Sequence, residues 1–299
     1  MPDGVRGRNM ARPITCILII LALGFLAPYI AHSFAGPPRR HAPLPAPVDS
    51  APLEEEHILS PTDKITRPLD TDAEAMRHND LGVAFVFKGD LGQAIDEFTH
   101  ALRLQANYFA AHLNLANTLL DVGKHDDAIA EFKAALRLKP DELKAHNDLG
   151  VALKEMGDLG GAIAEFKTVL RHHPGDVNAH NNLGVALKAM GDLEGALAEY
   201  RTAASLQPND VNTHFNLGLA LMEKRNPDAA AGEFRTALHL RPNDAKIRLN
   251  LGNALAGTGQ RMEAAQELRQ YLRLELDTPA NRRWIEQAEA KLRELEMPQ

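Results

Sequence analysis

The chain has 299 residues, of which 44% are hydrophobic, and a formal net charge of −7 at pH 7. This acidic balance argues against a nucleic-acid partner, because a nucleic-acid-binding surface needs a concentrated field of basic side chains. The single cysteine, Cys16, excludes an internal disulfide bond and any metal site built from cysteines.

The N-terminal 35 residues predict an export element. Residues 14–30 are apolar apart from Thr15 and Pro28, and arginines precede them. Residues 16–27 match the hydrophobic region of a signal peptide, and 33–35 offer a small-x-small cleavage site. Read through residue 34, the segment is also long enough to remain as a transmembrane anchor in contact with the membrane over residues 14–34. Residues 1–35 are thus a signal peptide or an anchor, and either places the rest of the chain outside the cytoplasm, as a periplasmic, secreted or inner-membrane-anchored protein.

Residues 36–74 predict a disordered linker. Prolines are concentrated between residues 36 and 52, which favours an extended, semi-rigid spacer. Residues 53–74 are acidic and show little hydrophobic periodicity, so we expect no packed structure there.

A 34-residue repeat organises residues 75–278. Three columns of residues recur when the sequence is shifted by this period. The first is Leu81, Leu115, Leu149, Leu183, Leu217 and Leu251, and the second is Ala94, Ala128, Ala162, Ala196, Ala230 and Ala264. The third lies four residues after the second and is aromatic in five of six units. A fixed period of this length indicates a solenoid.

Each unit predicts a helical hairpin. In residues 177–210, His180, Leu183 and Leu187 share one face of a first helix. Gly191 and Asp192 then end that helix, and a second apolar face runs from about Leu193 to a stop before the closing proline. The hairpin leaves an apolar surface that must stack on neighbouring units.

The Leu-Gly pair, the turn glycine, Ala-x3-Phe or Tyr and the closing proline together resemble the tetratricopeptide repeat. The resemblance implies an all-α fold, a right-handed α-solenoid of helix–turn–helix hairpins. Its six repeats would be 75–108, 109–142, 143–176, 177–210, 211–244 and 245–278. Departures from the pattern include Arg225 in place of the turn glycine, and Ala106 and Leu276 in place of the closing proline.

Residues 279–299 predict a C-terminal capping helix. Trp284, Ala288 and Leu295 belong to one apolar stripe, and Thr278–Pro279 offers an N-cap and first turn. Such a helix would cover the open end of the last repeat, which solenoids need for solubility. A dimerisation helix is the alternative, and the sequence leaves the oligomeric state open.

No motif for catalysis or for cofactor binding is present in the sequence, so we expect a protein that is not an enzyme and has no cofactor or metal. Five histidines at equivalent positions are candidate metal ligands. They form a column of His78, His112, His146, His180 and His214. Equivalent residues of stacked helices lie roughly 10 Å apart, whereas zinc ligands lie about 2.0–2.1 Å from the ion. We therefore interpret the column as core packing.

The family resemblance implies a concave groove lined by the second, sixth, ninth and thirteenth residues of each first helix. The sixth residues are Asp80, Asn114, Asp148, Asn182, Asn216 and Asn250. This set partly resembles the Asn ladder in the repeat domains of O-linked N-acetylglucosamine transferases, where the amides hold the backbone of an extended peptide. An amide both donates and accepts hydrogen bonds, as a peptide group requires. The alternative is that these amides satisfy local backbone groups or face water.

The other candidate peptide-binding residues surround this ladder. They are Asn117, Lys154, Lys188, Phe215, Leu219 and Met222. Phe215 could serve as an apolar anchor or pack between repeats. The sequence therefore predicts a non-catalytic scaffold that binds an extended peptide or a partner protein. Two alternatives are an accessory or targeting subunit of an extracytoplasmic enzyme complex, which would modify glycans or peptidoglycan, and a self-assembling array.

Overall fold

The computed structural model describes residues 71–275 and 278–297, so the predicted export segment and most of the predicted linker lie outside the described residues. The described residues form thirteen α-helices and no strand. The helices are α1 (Thr71–Lys88), α2 (Leu91–Leu104), α3 (Phe109–Asp121), α4 (His125–Leu138), α5 (Leu143–Glu155), α6 (Leu159–His172), α7 (Val177–Met190), α8 (Leu193–Leu206), α9 (Val211–Glu223), α10 (Pro227–Leu240), α11 (Ala245–Gly257), α12 (Arg261–Leu274) and α13 (Arg282–Glu296).

The helices pack in chain order. Each odd-numbered helix from α1 to α11 packs on the helix that follows it, and this pair packs on the first helix of the next repeat. First helices of adjacent repeats also touch one another, whereas second helices make no comparable contact within the described residues. The first helices therefore form the inner wall of the stack. The prediction of an all-α solenoid is confirmed.

The turns follow the predicted glycine pattern. Helix α7 ends at Met190, and Gly191 takes a left-handed conformation with φ of 93°. The Asp192 carboxylate then accepts a hydrogen bond from the backbone N–H of Gly195 and caps α8. Arg225 occupies the equivalent turn position with φ of 59°, a conformation that glycine adopts with less strain.

The core lies where the two helices of each hairpin meet. The ring of Phe166 is completely buried. A Cβ atom added to Gly150 would lie 2.6 Å from Cε1 of this ring, and one added to Gly184 would lie 2.6 Å from Cε1 of Tyr200. The glycine after the repeated leucine thus lets the first helix approach the aromatic side chain of the second.

Two helix starts differ from the prediction. Helix α1 begins at Thr71, so residues 71–74, which were predicted to be linker, form its first turn. Helix α13 begins at Arg282 rather than at Thr278–Pro279. The reason is that the Oδ1 atom of Asn281 accepts hydrogen bonds from the backbone N–H and the hydroxyl of Thr278, which holds a separate turn before the helix.

Helix α13 packs on α12 at the end of the last repeat. The Arg261 guanidinium of α12 donates to the backbone carbonyls of Glu294 and Leu295 at 2.9 and 2.8 Å. These carbonyls belong to the last turn of α13, where cations are favoured by the helix dipole. Arg261 therefore anchors α13 in the position of a cap.

Within the described ranges, no helix has both the length and the apolar composition needed to cross a bilayer. The predicted membrane segment, residues 14–34, lies outside those ranges.

Candidate functional site

The predicted Asn ladder lies on the inner wall, but its members differ in exposure. Asn114, Asn182, Asn216 and Asn250 are partly exposed, and Asp80 is exposed. Asp148 is only 7% exposed, so little of its side chain is accessible to a ligand. It lies where α5 contacts both α3 and α7, and this close approach of first helices closes the position.

Two of the ladder amides are held by the preceding repeat. Nδ2 of Asn114 donates to Oδ1 of Asn79 at 2.9 Å, and Nδ2 of Asn182 donates to Oδ1 of Asn147 at 2.9 Å. Each bond joins the sixth position of one repeat to the fifth position of the repeat before it. An amide also has a second N–H and a carbonyl oxygen, so the bond orients the group and leaves part of its capacity for other partners.

The other two ladder amides behave differently. Nδ2 of Asn250 donates to the backbone carbonyl of Lys246 at 2.8 Å. Asn117, which lies beside the ladder, makes the same kind of bond, from its Nδ2 to the backbone carbonyl of Leu113 at 2.9 Å. Both bonds agree with the alternative interpretation, in which these amides satisfy local backbone groups. The side-chain amide of Asn216 makes no hydrogen bond to any other residue that the structure describes. Hydrogen bonds thus hold the ladder amides at two repeat junctions, whereas the Asn216 amide has no such bond among the described residues.

The junction between the fourth and fifth repeats leaves an amide oxygen without a partner. Nδ2 of Asn181 donates to the hydroxyl of Thr213 and to the carboxylate of Asp210, which also caps α9. Oδ1 of Asn181 is buried and has no hydrogen-bond partner among the described residues. By analogy with Asn147 and Asn182, Asn216 is the ladder residue that would meet it.

Two repeats carry a lysine six residues after their ladder residue. The Lys188 ammonium lies 3.8 Å from a carboxylate oxygen of Glu223, and its side chain is 10% exposed. Burial lowers the pKa of Lys188, and the Glu223 carboxylate partly opposes this shift. Lys154 is the equivalent residue of the preceding repeat and is partly exposed. The two side chains place ammonium groups on this part of the wall, and that of Lys188 is paired with the Glu223 carboxylate.

The predicted apolar anchor is only partly available. The Phe215 ring is partly buried, and its centroid lies 5.9 Å from that of Phe234 in the same repeat. Leu219 is 9% exposed, so little of its side chain is accessible to a ligand. It is closed because α9 contacts the first helices on both sides. Met222 remains partly exposed at the twelfth position of its repeat, the position that Lys188 occupies in the preceding one.

The histidine column has a role that the sequence analysis missed. In five repeats the Nδ1 atom lies 2.5–2.7 Å from a glutamate oxygen on the second helix of the same repeat. The pairs are His78–Glu97, His112–Glu131, His146–Glu165, His180–Glu199 and His214–Glu233. We call this arrangement the histidine clasp.

The clasp also reaches the preceding repeat. In the second to fifth repeats, Nε2 lies 2.8–2.9 Å from the backbone carbonyl oxygen six residues earlier. In the sixth repeat Arg248 makes the same two contacts, to Glu267 and to the carbonyl of Pro242, both at 2.7 Å. A carbonyl and a carboxylate only accept, so the position suits a group that donates in two directions.

This role corrects the interpretation of the histidines as simple core packing. The signal was present in the sequence, since a glutamate precedes the aromatic column in all six repeats. Among the residues that the structure describes, no cluster of three or more side chains has the geometry of a metal site.

Comparison with known proteins agrees with this architecture. The family model described as "Tetratricopeptide repeat" matches residues 79–142, 113–165 and 215–290, and the model described as "TPR repeat" matches residues 186–224. Together these matches cover more than half of the chain. The finer resemblance to the O-linked N-acetylglucosamine transferase ladder is not shown by these matches and stays a prediction.

Solved structures share the fold. The crystal structure of MamA is 26% identical, covers 58% of this chain and 94% of its own, and gives a TM-score of 0.52. PilF of Pseudomonas aeruginosa is 19% identical over 73% of this chain and 99% of its own, with a TM-score of 0.61. YrrB, described as a TPR protein with an unusual peptide-binding site, is 23% identical over 63% of this chain and 97% of its own, with a TM-score of 0.50.

A search of curated proteins returned no match. The family models match residues 79–165 and 186–290, and the described helices pack in the same order throughout. The chain therefore belongs to the tetratricopeptide repeat family.

Proposed function

We propose that this protein is a non-catalytic scaffold that holds an extended segment of a partner protein along the wall of first helices. Tetratricopeptide repeats are typically protein-interaction modules without catalytic activity. The observation that carries the proposal is the pair of oriented amides, Asn114 and Asn182, each fixed by an asparagine of the preceding repeat.

The spacing of the wall suits an extended chain. Packed helices lie about 8–10 Å apart, and an extended chain rises about 3.3 Å per residue. One repeat therefore corresponds to about three residues of the bound segment. The amides of Asn182 and Asn216 would meet its backbone at intervals of this length, without regard to its side chains.

The side chains beside the ladder select the bound segment. Lys154 and Lys188 favour an acidic residue opposite the third and fourth repeats. Because the Lys188 side chain is only 10% exposed, water screens such an attraction less than it would at an open surface. Phe215 and Met222 favour an apolar residue opposite the fifth repeat.

Site-specific photocrosslinking tests the proposal. A photoreactive amino acid is placed at Asn182 or Asn216 on the inner wall, or at Lys167 or Arg201, which are exposed on second helices. Mass spectrometry of the crosslinked peptides then identifies the segment. We expect crosslinks from the inner-wall sites to nearby residues of one acidic segment, and none to that segment from the second helices. Equal capture at all four sites would contradict the proposal.

The same experiment separates the scaffold from the accessory-subunit alternative. A single enzyme recovered at fixed stoichiometry would favour the accessory subunit, whereas many partners with related segments would favour the scaffold. We also propose that the repeats act outside the cytoplasm, on the basis of residues 1–35. Sequencing of the mature N-terminus tests this, since a start near Gly36 indicates a cleaved signal and retention of residues 14–34 indicates an anchor.

A further inference from the structure

The histidine clasp places both nitrogens of one ring against atoms that only accept hydrogen bonds. In the second to fifth repeats, Nδ1 lies 2.5–2.7 Å from a glutamate carboxylate, and Nε2 lies 2.8–2.9 Å from a backbone carbonyl oxygen. A neutral imidazole carries a proton on one nitrogen and a lone pair on the other. A neutral ring would therefore turn a lone pair toward one of these two oxygens.

A protonated ring donates to both partners at once, because imidazolium carries an N–H on each nitrogen. The proton between the ring and the carboxylate belongs to the ring, since a free imidazole binds a proton more tightly than a free carboxylate does. The histidine side chains of these four clasps are only 10–15% exposed, so water reaches little of each ring. The two protein acceptors therefore decide its protonation.

The sixth repeat places a permanent cation at the same position. The guanidinium of Arg248 donates to the Glu267 carboxylate and to the carbonyl of Pro242, both at 2.7 Å. An arginine side chain has only donors and stays charged at any pH that a protein experiences. The position thus accepts a cation that holds these same two acceptors.

The first repeat supplies the opposite case. The residue six positions before His78 is Asp72, which lies inside α1, and Nε2 of His78 has no carbonyl partner among the described residues. The His78 ring keeps only its bond to Glu97, and it stacks on the His100 ring with the two centroids 4.1 Å apart. One proton satisfies this ring, so His78 needs no positive charge.

The charges around the four complete clasps favour a cation. In each clasp the glutamate of the second helix is the one charged side chain that contacts the ring among the described residues, and the preceding repeat supplies an uncharged carbonyl. On the helices of His180 and His214 themselves, the N-cap carboxylates of Asp176 and Asp210 accept bonds from backbone N–H groups. These carboxylates add negative charge at the same end of each helix.

We propose that His112, His146, His180 and His214 are imidazolium cations in the folded stack, and that this proton makes the joints between repeats sensitive to pH. Each ring ties its own second helix to the end of the preceding repeat, so loss of the proton costs one of the two bonds at that joint. The stack is therefore held most firmly in mildly acidic solution, and it loosens as the pH rises.

The direction follows from the protons that each state binds. A histidine in an unfolded chain releases its proton near about pH 6.5, whereas the clasp still holds it in the folded stack above that pH. The folded state then binds more protons than the unfolded state, so its stability falls as the pH rises. Below about pH 4.3 the glutamates take up protons and the clasp loses its acceptor.

Nuclear magnetic resonance of the full chain, labelled with ¹⁵N-histidine, tests the charge directly. At about pH 7.5 an ordinary histidine is about 90% neutral. We expect both ring nitrogens of the four clasp histidines to show the similar ¹⁵N shifts of imidazolium. His78 and the exposed His172 and His173 should show the unequal shifts of a neutral ring. Single histidine-to-arginine variants assign the signals, and a neutral pattern at the four clasp histidines would overturn the proposal.

Urea denaturation between about pH 6 and pH 8.5 measures the consequence for the stack. In the unaltered chain, each retained proton raises the unfolding equilibrium constant by up to about tenfold per pH unit. The quadruple variant His112→Arg/His146→Arg/His180→Arg/His214→Arg keeps both bonds with a cation that does not titrate, so we expect its pH dependence to be nearly flat.

His173→Arg is the matched control, because His173 is exposed, and it should leave the pH dependence unchanged. Circular dichroism shows whether each variant is folded. If the quadruple variant does not fold, His180→Arg alone is compared, and it should remove about one quarter of the pH dependence. The same pH dependence in the unaltered chain and in the folded clasp variant would overturn the proposal.

Discussion

The two faces of each first helix differ in how strictly they repeat. The core face carries leucine at the same position in all six repeats, next to a residue without a side chain in five of them. The inner wall varies, since the second position is methionine, alanine, lysine or asparagine and the thirteenth is phenylalanine, aspartate, glutamate, alanine or glycine. The core face therefore repeats because each hairpin must pack on the next in the same way. The inner wall is free to vary, so its residues can differ according to the partner that each repeat contacts.

The largest expected effect comes from breaking the core face. Phe166→Ala removes a completely buried ring that packs against Gly150, and we expect a loss of about 3–5 kcal/mol in the free energy of unfolding. Urea denaturation followed by circular dichroism measures it. Lys167→Ala, at the exposed neighbouring position, should change stability by less than about 0.5 kcal/mol. A loss below about 1 kcal/mol for Phe166→Ala would show that the hairpin interior does not hold the stack.

The histidine clasp gives a smaller effect. His180→Ala leaves the Glu199 carboxylate and the carbonyl of Pro174 without their partner, and we expect a loss of about 1–3 kcal/mol. His180→Arg should retain most of the stability, because Arg248 makes the same two contacts in the sixth repeat. Equal losses for the two variants in thermal denaturation would show that the position needs a histidine ring rather than two donors.

A substitution in the turn should stabilise the protein. Arg225→Gly relieves the positive φ of this residue, and we expect a gain of about 0.5–1 kcal/mol. Arg225→Ala is the matched control, because alanine retains a Cβ atom and the same strain. A gain for alanine equal to that for glycine, measured by urea denaturation, would attribute the effect to loss of the arginine charge instead.

The smallest effect on stability is expected on the inner wall. Lys188→Met replaces a largely buried cation whose carboxylate partner is 3.8 Å away, so we expect a change within about 1 kcal/mol. The same variant should bind an acidic segment more weakly and with less dependence on salt. Titration calorimetry at two salt concentrations measures this, with Lys167→Met as the control on a second helix. An unchanged salt dependence would remove Lys188 from the binding surface.

The fold was predictable because it follows from short-range patterns. The turn at Gly191 and the close approach at Gly184 depend on residues a few positions apart. The 34-residue period depends on the repetition of the same residues in successive units. The start of α13 was missed because it depends on a bond between Thr278 and Asn281 that has no repeated pattern.

The candidate site was less predictable, because it depends on how closely adjacent first helices approach. Position within the helix placed Asp148 and Leu219 on the wall, but neighbouring first helices bury both. The clasp of His180 and Glu199 was missed because the histidine column was interpreted without the glutamate column 19 residues later.

The central claim, that amides of the inner wall hold a partner's backbone, is tested most directly by the quadruple variant Asn114→Ala/Asn182→Ala/Asn216→Ala/Asn250→Ala. Its affinity for the crosslinked segment is measured by titration calorimetry beside its melting temperature. Four lost hydrogen bonds of at least about 0.5 kcal/mol each predict binding weakened by at least about 30-fold, with the protein still folded. Unchanged affinity of the folded variant would contradict the account.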